Sequence, residues 1–76
     1  MSNYFGIPPQ VKFTYTAFGE TEYIGITDHG VGTDEARWKI IKFIYNGSEQ
    51  LTDIVTAENS DDYKFVWDNR AGYNYG

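Results

Sequence analysis

The chain has 76 residues, 11 acidic and six basic side chains, a net charge of −5, and 18% aromatic residues. A chain this short forms one domain and hides only about 60% of the surface that it would expose unfolded. It has no cysteine, and its acids and single histidine show no metal-ligand spacing, so we expect no cofactor and no metal. Six scattered basic residues argue against direct nucleic-acid binding. Without disulfides or metal to stabilise it, so small a domain is expected to oligomerise or dock onto a partner.

The N-terminal residues predict an extended arm. Gly6-Ile7-Pro8-Pro9 favours polyproline-like geometry, and Phe5 and Ile7 are predicted to contact another protein. We therefore divide the chain into an arm over residues 1–10 and a single small β-rich domain over residues 11–76. The first residues do not read as a signal peptide, and no apolar run approaches the roughly 20 residues of a membrane span, so we expect a cytoplasmic protein with no membrane partner.

Two strands are predicted in the first third of the domain. From Val11 to Ala17 apolar and polar residues alternate, which is the period of a half-buried strand. After a break at Gly19, the stretch from Thr21 to Thr27 resumes the β pattern. Gly25 interrupts it, and a glycine inside a strand marks a bulge or a close backbone approach.

The stretch from Ala36 to Tyr45 fits two interpretations. As a helix it aligns Trp38, Ile41 and Tyr45 on one side, and as a strand it alternates through Trp38 and Ile40. We favour the strand, because the stretch is rich in β-branched and aromatic residues and is followed by Asn-Gly, a strong hairpin signal. Residues 51–57 then return as its partner strand.

The C-terminal stretch has the pattern of a short helix. Tyr63, Val66, Trp67 and Arg70 recur at i, i+3, i+4 and i+7 after Ser60, which is a suitable N-cap residue. Asp61 and Asp62 are assigned to the first turn, where acids are favourable, and Gly72 follows the end. Residues 73–75 alternate again and predict a closing edge strand.

These elements predict a mainly β fold: a small antiparallel sheet, sandwich or barrel of about five strands, with one short helix near the C-terminus and the N-terminal arm. Trp38 and Ile40 on the third strand and Tyr63 and Trp67 on the helix are predicted to pack together as the core.

No residue pattern points to catalysis, so we expect a protein that is not an enzyme. His29 lies beside Asp28 in a glycine-rich loop, which is interpreted as an exposed loop rather than a general-base pair, because a domain this small rarely encloses a catalytic pocket. The acids from Asp28 to Glu35 do not match the EF-hand spacing. Gly30-x-Gly32 lacks the third glycine of a dinucleotide fingerprint. Asp68 and Arg70 are predicted to form a weak surface ion pair.

The tyrosines favour an interface. Seven are present, more than so small a core absorbs, and tyrosine is enriched at protein interfaces because it combines a large rigid ring with a polar tip. Simple core packing is the alternative for any one ring. Near the C-terminus, Tyr73 and Tyr75 join Phe5 and Ile7 as predicted contact residues.

Several of these segments together carry a resemblance to a group of small, mostly uncharacterised proteins encoded by tailed bacteriophages, many of them marine or aquatic. The matching segments are Tyr23-Ile24-Gly25, Ala36-Arg37-Trp38-Lys39-Ile40-Ile41-Lys42 and Val66-Trp67-Asp68-Asn69-Arg70-Ala71. The motifs are Trp-x-Ile and Trp-Asp-Asn-Arg, and the likeness covers roughly residues 21–75. The chain departs from the group at residues 28–32, where a proline-bearing stretch of small residues is expected.

The resemblance implies a viral origin, and size and composition then predict a virion accessory protein. It would act by protein–protein binding, as a capsid decoration protein or as a neck, tail or fibre component. Its partners would be other virion proteins and further copies of itself, and it would assemble into the virion in the host cytoplasm. The alternative is a soluble early protein that inhibits a host enzyme by imitating DNA phosphates with its acids. We favour the structural role because aromatics and threonines separate those acids.

Overall fold

The computed structural model describes residues 10–76. Four antiparallel strands form a meander, and a fifth short strand pairs with the start of the third. The strands are β1 Gln10–Tyr15, β2 Thr21–Thr27, β3 Ala36–Tyr45, β4 Leu51–Thr56 and β5 Phe65–Val66. Short 3-10 helices follow β4 over Ala57–Asn59 and β5 over Trp67–Gly72. The predicted class, a mainly β protein with an antiparallel sheet of about five strands and a short helix near the C-terminus, is confirmed.

Most of the predicted N-terminal arm, residues 1–10, lies outside the described residues. Phe5 and Ile7 are among the residues that are not described, so their predicted contacts remain predictions. Gln10 was assigned to the arm but begins β1, where it lies opposite Thr27 of β2. β1 therefore begins at the last residue that the sequence assigned to the arm.

Two loops of the same design close the β1–β2 and β3–β4 hairpins. In the first, the backbone N–H of Thr16 donates to Glu20 O and that of Gly19 donates to Thr16 O. Residues 46–50 repeat this pattern. In both loops the side-chain oxygen of the first loop residue, Thr16 or Asn46, accepts hydrogen bonds from two backbone N–H groups. The fourth loop residue is left-handed in each, with φ of 84° at Gly19 and 62° at Glu49. The hairpin expected after β3 is confirmed, and glycine fills the left-handed position in only one loop.

The stretch from Ala36 to Tyr45 is a strand, as the preferred interpretation predicted. It is the longest strand and pairs along one side with β2 and along the other with β4 and β5. Two of its residues, Trp38 and Ile40, are fully buried. The sheet is thus built around β3.

The predicted helix beginning at Ser60 does not form, and this part of the prediction is wrong. Phe65 and Val66 extend as β5 against β3, and the helix begins only at Trp67. Pairing with β3 gives the backbone of these residues ladder partners and buries Phe65, a tertiary gain that outweighs a two-turn helical pattern. The helix ends within one residue of the predicted end, since Arg70 lies in the last turn and Gly72 is the final helical residue.

Residues 60–64 form a loop in place of the predicted first helical turn. The Ser60 hydroxyl accepts a hydrogen bond from the Asp62 N–H at 3.1 Å, which is a local turn and not a helix cap. Asp61 pairs with Lys39 at 3.7 Å and Asp62 with Lys64 at 4.0 Å, so neither acid caps a helix. Tyr63, predicted to lie in the core, is 55% exposed because no helix turns it toward Trp67.

The core lies on one face of the sheet, which we call the covered face. The buried hydrophobic residues are Tyr23, Val31, Trp38, Ile40, Ala57, Phe65 and Trp67. The rings of Trp38 and Trp67 lie 5.7 Å apart between centroids, and the Trp38 indole N–H donates to Gly32 O at 3.0 Å. The burial predicted for Trp38, Ile40 and Trp67 is present, and the chain after β4 supplies the layer that covers them.

Gly25 of β2 provides the space in which Trp67 lies. A Cβ built at this position would stand 2.4 Å from Cε3 and 2.5 Å from Cζ3 of Trp67, and 3.0 Å from Cε3 of Trp38. The strand register runs through Gly25 without a shift. Of the two explanations for a glycine inside this strand, close approach is correct and a bulge at Gly25 is not.

Candidate functional site

The side of the sheet opposite the core is apolar and lacks a covering layer among residues 10–76. Residues directly opposite each other in antiparallel strands share a face, and Phe13 lies opposite Ile24, which lies opposite Ile41. Phe43 lies opposite Ile54 in the next row. We call this surface the open face and define it by Val11 and Phe13 of β1, Ile24 and Ile26 of β2, Ile41 and Phe43 of β3, and Ile54 of β4.

Burial values separate the two faces of the sheet. Tyr23, Gly25 and Thr27 on the covered face of β2 are buried, whereas Ile24 and Ile26 between them are only half-buried. On the outer strands the open-face residues are more exposed still, since Phe13 is 51% and Ile54 58% exposed. Contiguous apolar patches of a few hundred Å² on a protein surface mark interaction sites, so the open face is the candidate binding surface.

The two ends of the open face differ in charge. Lys39 lies near the start of β3 on the same side of the strand as Ile41, and Arg37 precedes it at a bulge between Ala36 and Trp38. The opposite end carries Glu20 and Glu22 around the β1–β2 hairpin. A hollow of about 460 Å³ opens there, lined by these two glutamates and by Phe18, Phe43, Tyr45 and Glu49 among others.

Ion pairs moderate the charge at the basic end. Arg37 approaches Asp28 at 4.0 Å and Glu35 at 3.9 Å, and Lys39 approaches Asp61 at 3.7 Å. All three acids are exposed, and surface pairs of this kind are worth about 0–1 kcal/mol.

The C-terminal tyrosines pack against the core of their own chain. The Tyr73 ring meets Phe65 edge-on at 4.9 Å, and its hydroxyl accepts a hydrogen bond from the Val66 N–H at 2.8 Å. The Tyr75 ring lies 5.6 Å from that of Tyr23. No strand forms at residues 73–75, so the predicted closing edge strand is wrong. Both predicted interface tyrosines are thus part of the layer over the covered face.

Among residues 10–76, Tyr75 has a clearly perturbed pKa. Burial raises the pKa of its phenol well above the ordinary value of about 10, and the neighbouring Tyr23 and Tyr73 raise it further. The hydroxyl donates a hydrogen bond to Arg70 O at 2.7 Å. The phenol therefore stays protonated at neutral pH and anchors the tail as a donor.

Two hydrogen bonds fix the tail from the side of β4. The Glu58 N–H donates to Asn74 O at 2.7 Å, and the Glu58 carboxylate accepts from the Asn74 N–H at 2.7 Å. Glu58 adopts a positive φ of 52° to make this pair of contacts. The tail is thus held at both Glu58 and Arg70, over the covered face.

The loop between β2 and β3 holds no organised acid–base pair. His29 and Asp28 are exposed, as expected for a surface loop, and Asp28 pairs with Arg37. Asp68 accepts a hydrogen bond from the Thr33 hydroxyl at 3.2 Å. The predicted pair of Asp68 with Arg70 is absent.

Arg70 lies over the aromatic core. Its guanidinium carbon is 4.7 Å from the Trp67 ring centroid, and Nη1 donates to Trp67 O at 3.2 Å. A cation at this distance from the ring is attracted by the ring quadrupole. Over residues 10–76, no three His, Asp or Glu side chains converge as metal ligands. Nor does this part of the chain contain a helix with the length and apolarity to span a membrane.

The open face was not found from sequence, although the sequence carried a signal for it. The alternation from Val11 predicted a half-buried strand, yet the apolar side of that strand, with Val11 and Phe13, is its more exposed side. The signal is a doubling of apolar residues, at Tyr23-Ile24, Ile40-Ile41 and Phe43-Ile44. A sheet with one solvated face alternates apolar and polar residues, and doubling makes both faces apolar.

Comparisons with known proteins return no relatives. No protein-family model matches the chain, and neither the curated proteins nor the solved structures contain a match. The fold and the open face are therefore the basis for a functional proposal.

Proposed function

We propose that this chain is a bacteriophage virion accessory protein that acts by protein–protein binding, as a capsid decoration protein or as a neck, tail or fibre component. The observation that carries the binding role is the open face, on which β1 to β4 present apolar side chains to solvent. The viral setting rests on the resemblance of the Trp-x-Ile and Trp-Asp-Asn-Arg motifs.

Burial of the open face supplies the driving force for assembly. Removing apolar surface from water is worth about 25 cal/mol per Å² before the costs of association. A single small site of this kind gives modest affinity, and repeated copies on a symmetric lattice multiply it. A four-stranded sheet suits this role because pairing of its strands fixes the backbone positions of the contact residues before binding.

The charge distribution gives less support to the alternative role, imitation of DNA by an inhibitor of a host enzyme. A mimic needs a stripe of unpaired acids. Here four of the acids, Asp28, Glu35, Asp61 and Asp62, approach basic side chains of the same chain. We therefore retain the structural role.

Quantitative mass spectrometry of purified virions of the virus that encodes this chain tests the proposal. A fixed, high ratio to the major capsid protein is expected for decoration, and a low copy number for a neck or tail component. Absence from virions refutes both. Virions produced with Phe13→Glu should lack the protein, whereas the control Tyr63→Glu, also at an exposed ring but outside the strands that form the open face, should be incorporated normally.

A further inference from the structure

We propose that the open face binds a second copy of this chain, so that two sheets pack face to face as an antiparallel β-sandwich. This inference deepens the proposed function and rests on it in one respect, which is that both use the open face. Sandwiches of two sheets about 10 Å apart are the common solution for sheets with two apolar sides. Here residues 10–76 supply a covering layer for one side only.

The size of the open face corresponds to a small dimer interface. Four strands about 4.8 Å apart and about seven residues long give a projected face of roughly 400 Å². The exposed side chains of Phe18 and Leu51 at the hairpin end border this face. They extend the apolar surface toward the roughly 800 Å² per partner of a standard stable interface. A two-fold interface uses the same patch on both copies, and the open face is apolar on every strand.

Charge selects the orientation of the two copies. A two-fold axis parallel to the strands would place Glu20 and Glu22 of both copies together, and like charges brought together at an interface are costly. A two-fold axis across the strands instead brings these glutamates to the end that carries Arg37 and Lys39. The second arrangement is the one we propose.

The register identifies which residues meet. With the axis over the row of Phe13, Ile24 and Ile41, the row of Ile26 and Lys39 faces the row of Phe43 and Ile54 in the second copy. Glu22 lines the hollow beside that Phe43. The Lys39 ammonium can then exchange its exposed partner Asp61 for the glutamate of the other copy. Each dimer contains this contact twice.

Sedimentation equilibrium of the full chain over a concentration series tests the inference. The wild-type protein and the control Tyr63→Glu are expected to dimerise. Phe13→Glu and Ile54→Glu are expected to weaken dimerisation by about tenfold or more, because each buries an unpaired charge within the contact. Circular dichroism verifies that each variant keeps its sheet. A wild-type protein that stays monomeric overturns the inference and assigns the open face to a different protein or to residues 1–9.

A charge exchange tests the orientation. Glu22→Lys and Lys39→Glu are each expected to weaken the dimer, because each places like charges opposite one another. The double variant is expected to recover dimerisation. If the single variants dimerise as well as the wild type, or the double variant dimerises no more tightly than the weaker single variant, the arrangement with the two-fold axis across the strands is wrong.

The outcomes for the dimer and for the proposed function are separate. A dimer in solution that is absent from virions would leave this inference standing and refute the virion role. A monomer that is abundant in virions would do the reverse.

Discussion

Replacing Gly25 with alanine should destabilise the domain strongly, because the strand has no room for a methyl group beneath Trp67. The new Cβ would lie 2.4 Å from the Trp67 ring, and ordinary carbon contacts are near 3.5–4.0 Å, so the ring and strand must separate by about 1 Å. Trp38 and Arg70 pack on the same ring and resist its displacement. Overpacking of this kind costs about 1–3 kcal/mol, occasionally more.

We expect Gly25→Ala to lower the free energy of unfolding by about 2–3 kcal/mol, after a gain of about 0.5 kcal/mol for replacing a strand glycine. Domains of this size have a total stability of roughly 4–11 kcal/mol. Urea denaturation followed by circular dichroism measures the change. The matched control is Gly47→Ala, because a Cβ there meets nothing within 4 Å, and it should change stability by no more than about 0.5 kcal/mol.

A double-mutant cycle isolates the cause. Trp67→Phe replaces the indole with a smaller ring, so its cost combined with Gly25→Ala should be less than the sum of the two single costs. Strictly additive costs, or a Gly25→Ala variant as stable as Gly47→Ala, would refute the close-approach explanation.

Three further predictions follow from the covered face and the hairpins. Trp38→Ala should cost about 3–5 kcal/mol in urea denaturation because the ring is fully buried; a near-neutral result would contradict that burial. Glu49→Gly should stabilise by up to about 1 kcal/mol, since Gly19 fills the equivalent left-handed position of the other hairpin, and a loss of stability would show that the two loops are not equivalent. Above about pH 10 the unfolded chain releases the Tyr75 proton while the folded chain keeps it, so the free energy of unfolding should fall as the pH rises. The fall should be less steep in Tyr75→Phe, and identical slopes in the two proteins would contradict the raised pKa.

Local sequence rules were sufficient for the meander. The β-branched and aromatic stretch of β3 and the hairpin after it are short-range features, and the sheet formed as they predicted. Gly25 inside a strand indicated a bulge or a close backbone approach. Which of the two is correct depended on Trp67, which is 42 positions away in the sequence. The pattern indicated a close approach without identifying the residue that approaches.

Long-range pairing decided the parts that were predicted wrongly. The helical spacing from Tyr63 to Arg70 was real, yet Phe65 and Val66 gained more by pairing with β3, and the helix shrank to its second half. The C-terminal tyrosines were expected at an interface because the core was thought too small for them. The chain after β4 instead folds over a single face, where their rings and hydroxyls have partners.

Because the chain after β4 covers only one face of the sheet, the open face stays exposed in the single chain. We propose that this face is buried when the protein acts. Hydroxyl-radical footprinting of the free and assembled protein, read by mass spectrometry, tests it most directly. Phe13 and Tyr63 have similar exposure in the single chain, 51% and 55%. We predict that assembly protects Phe13 and leaves Tyr63 labelled as before. Equal labelling of Phe13 in the free and assembled states would contradict the account.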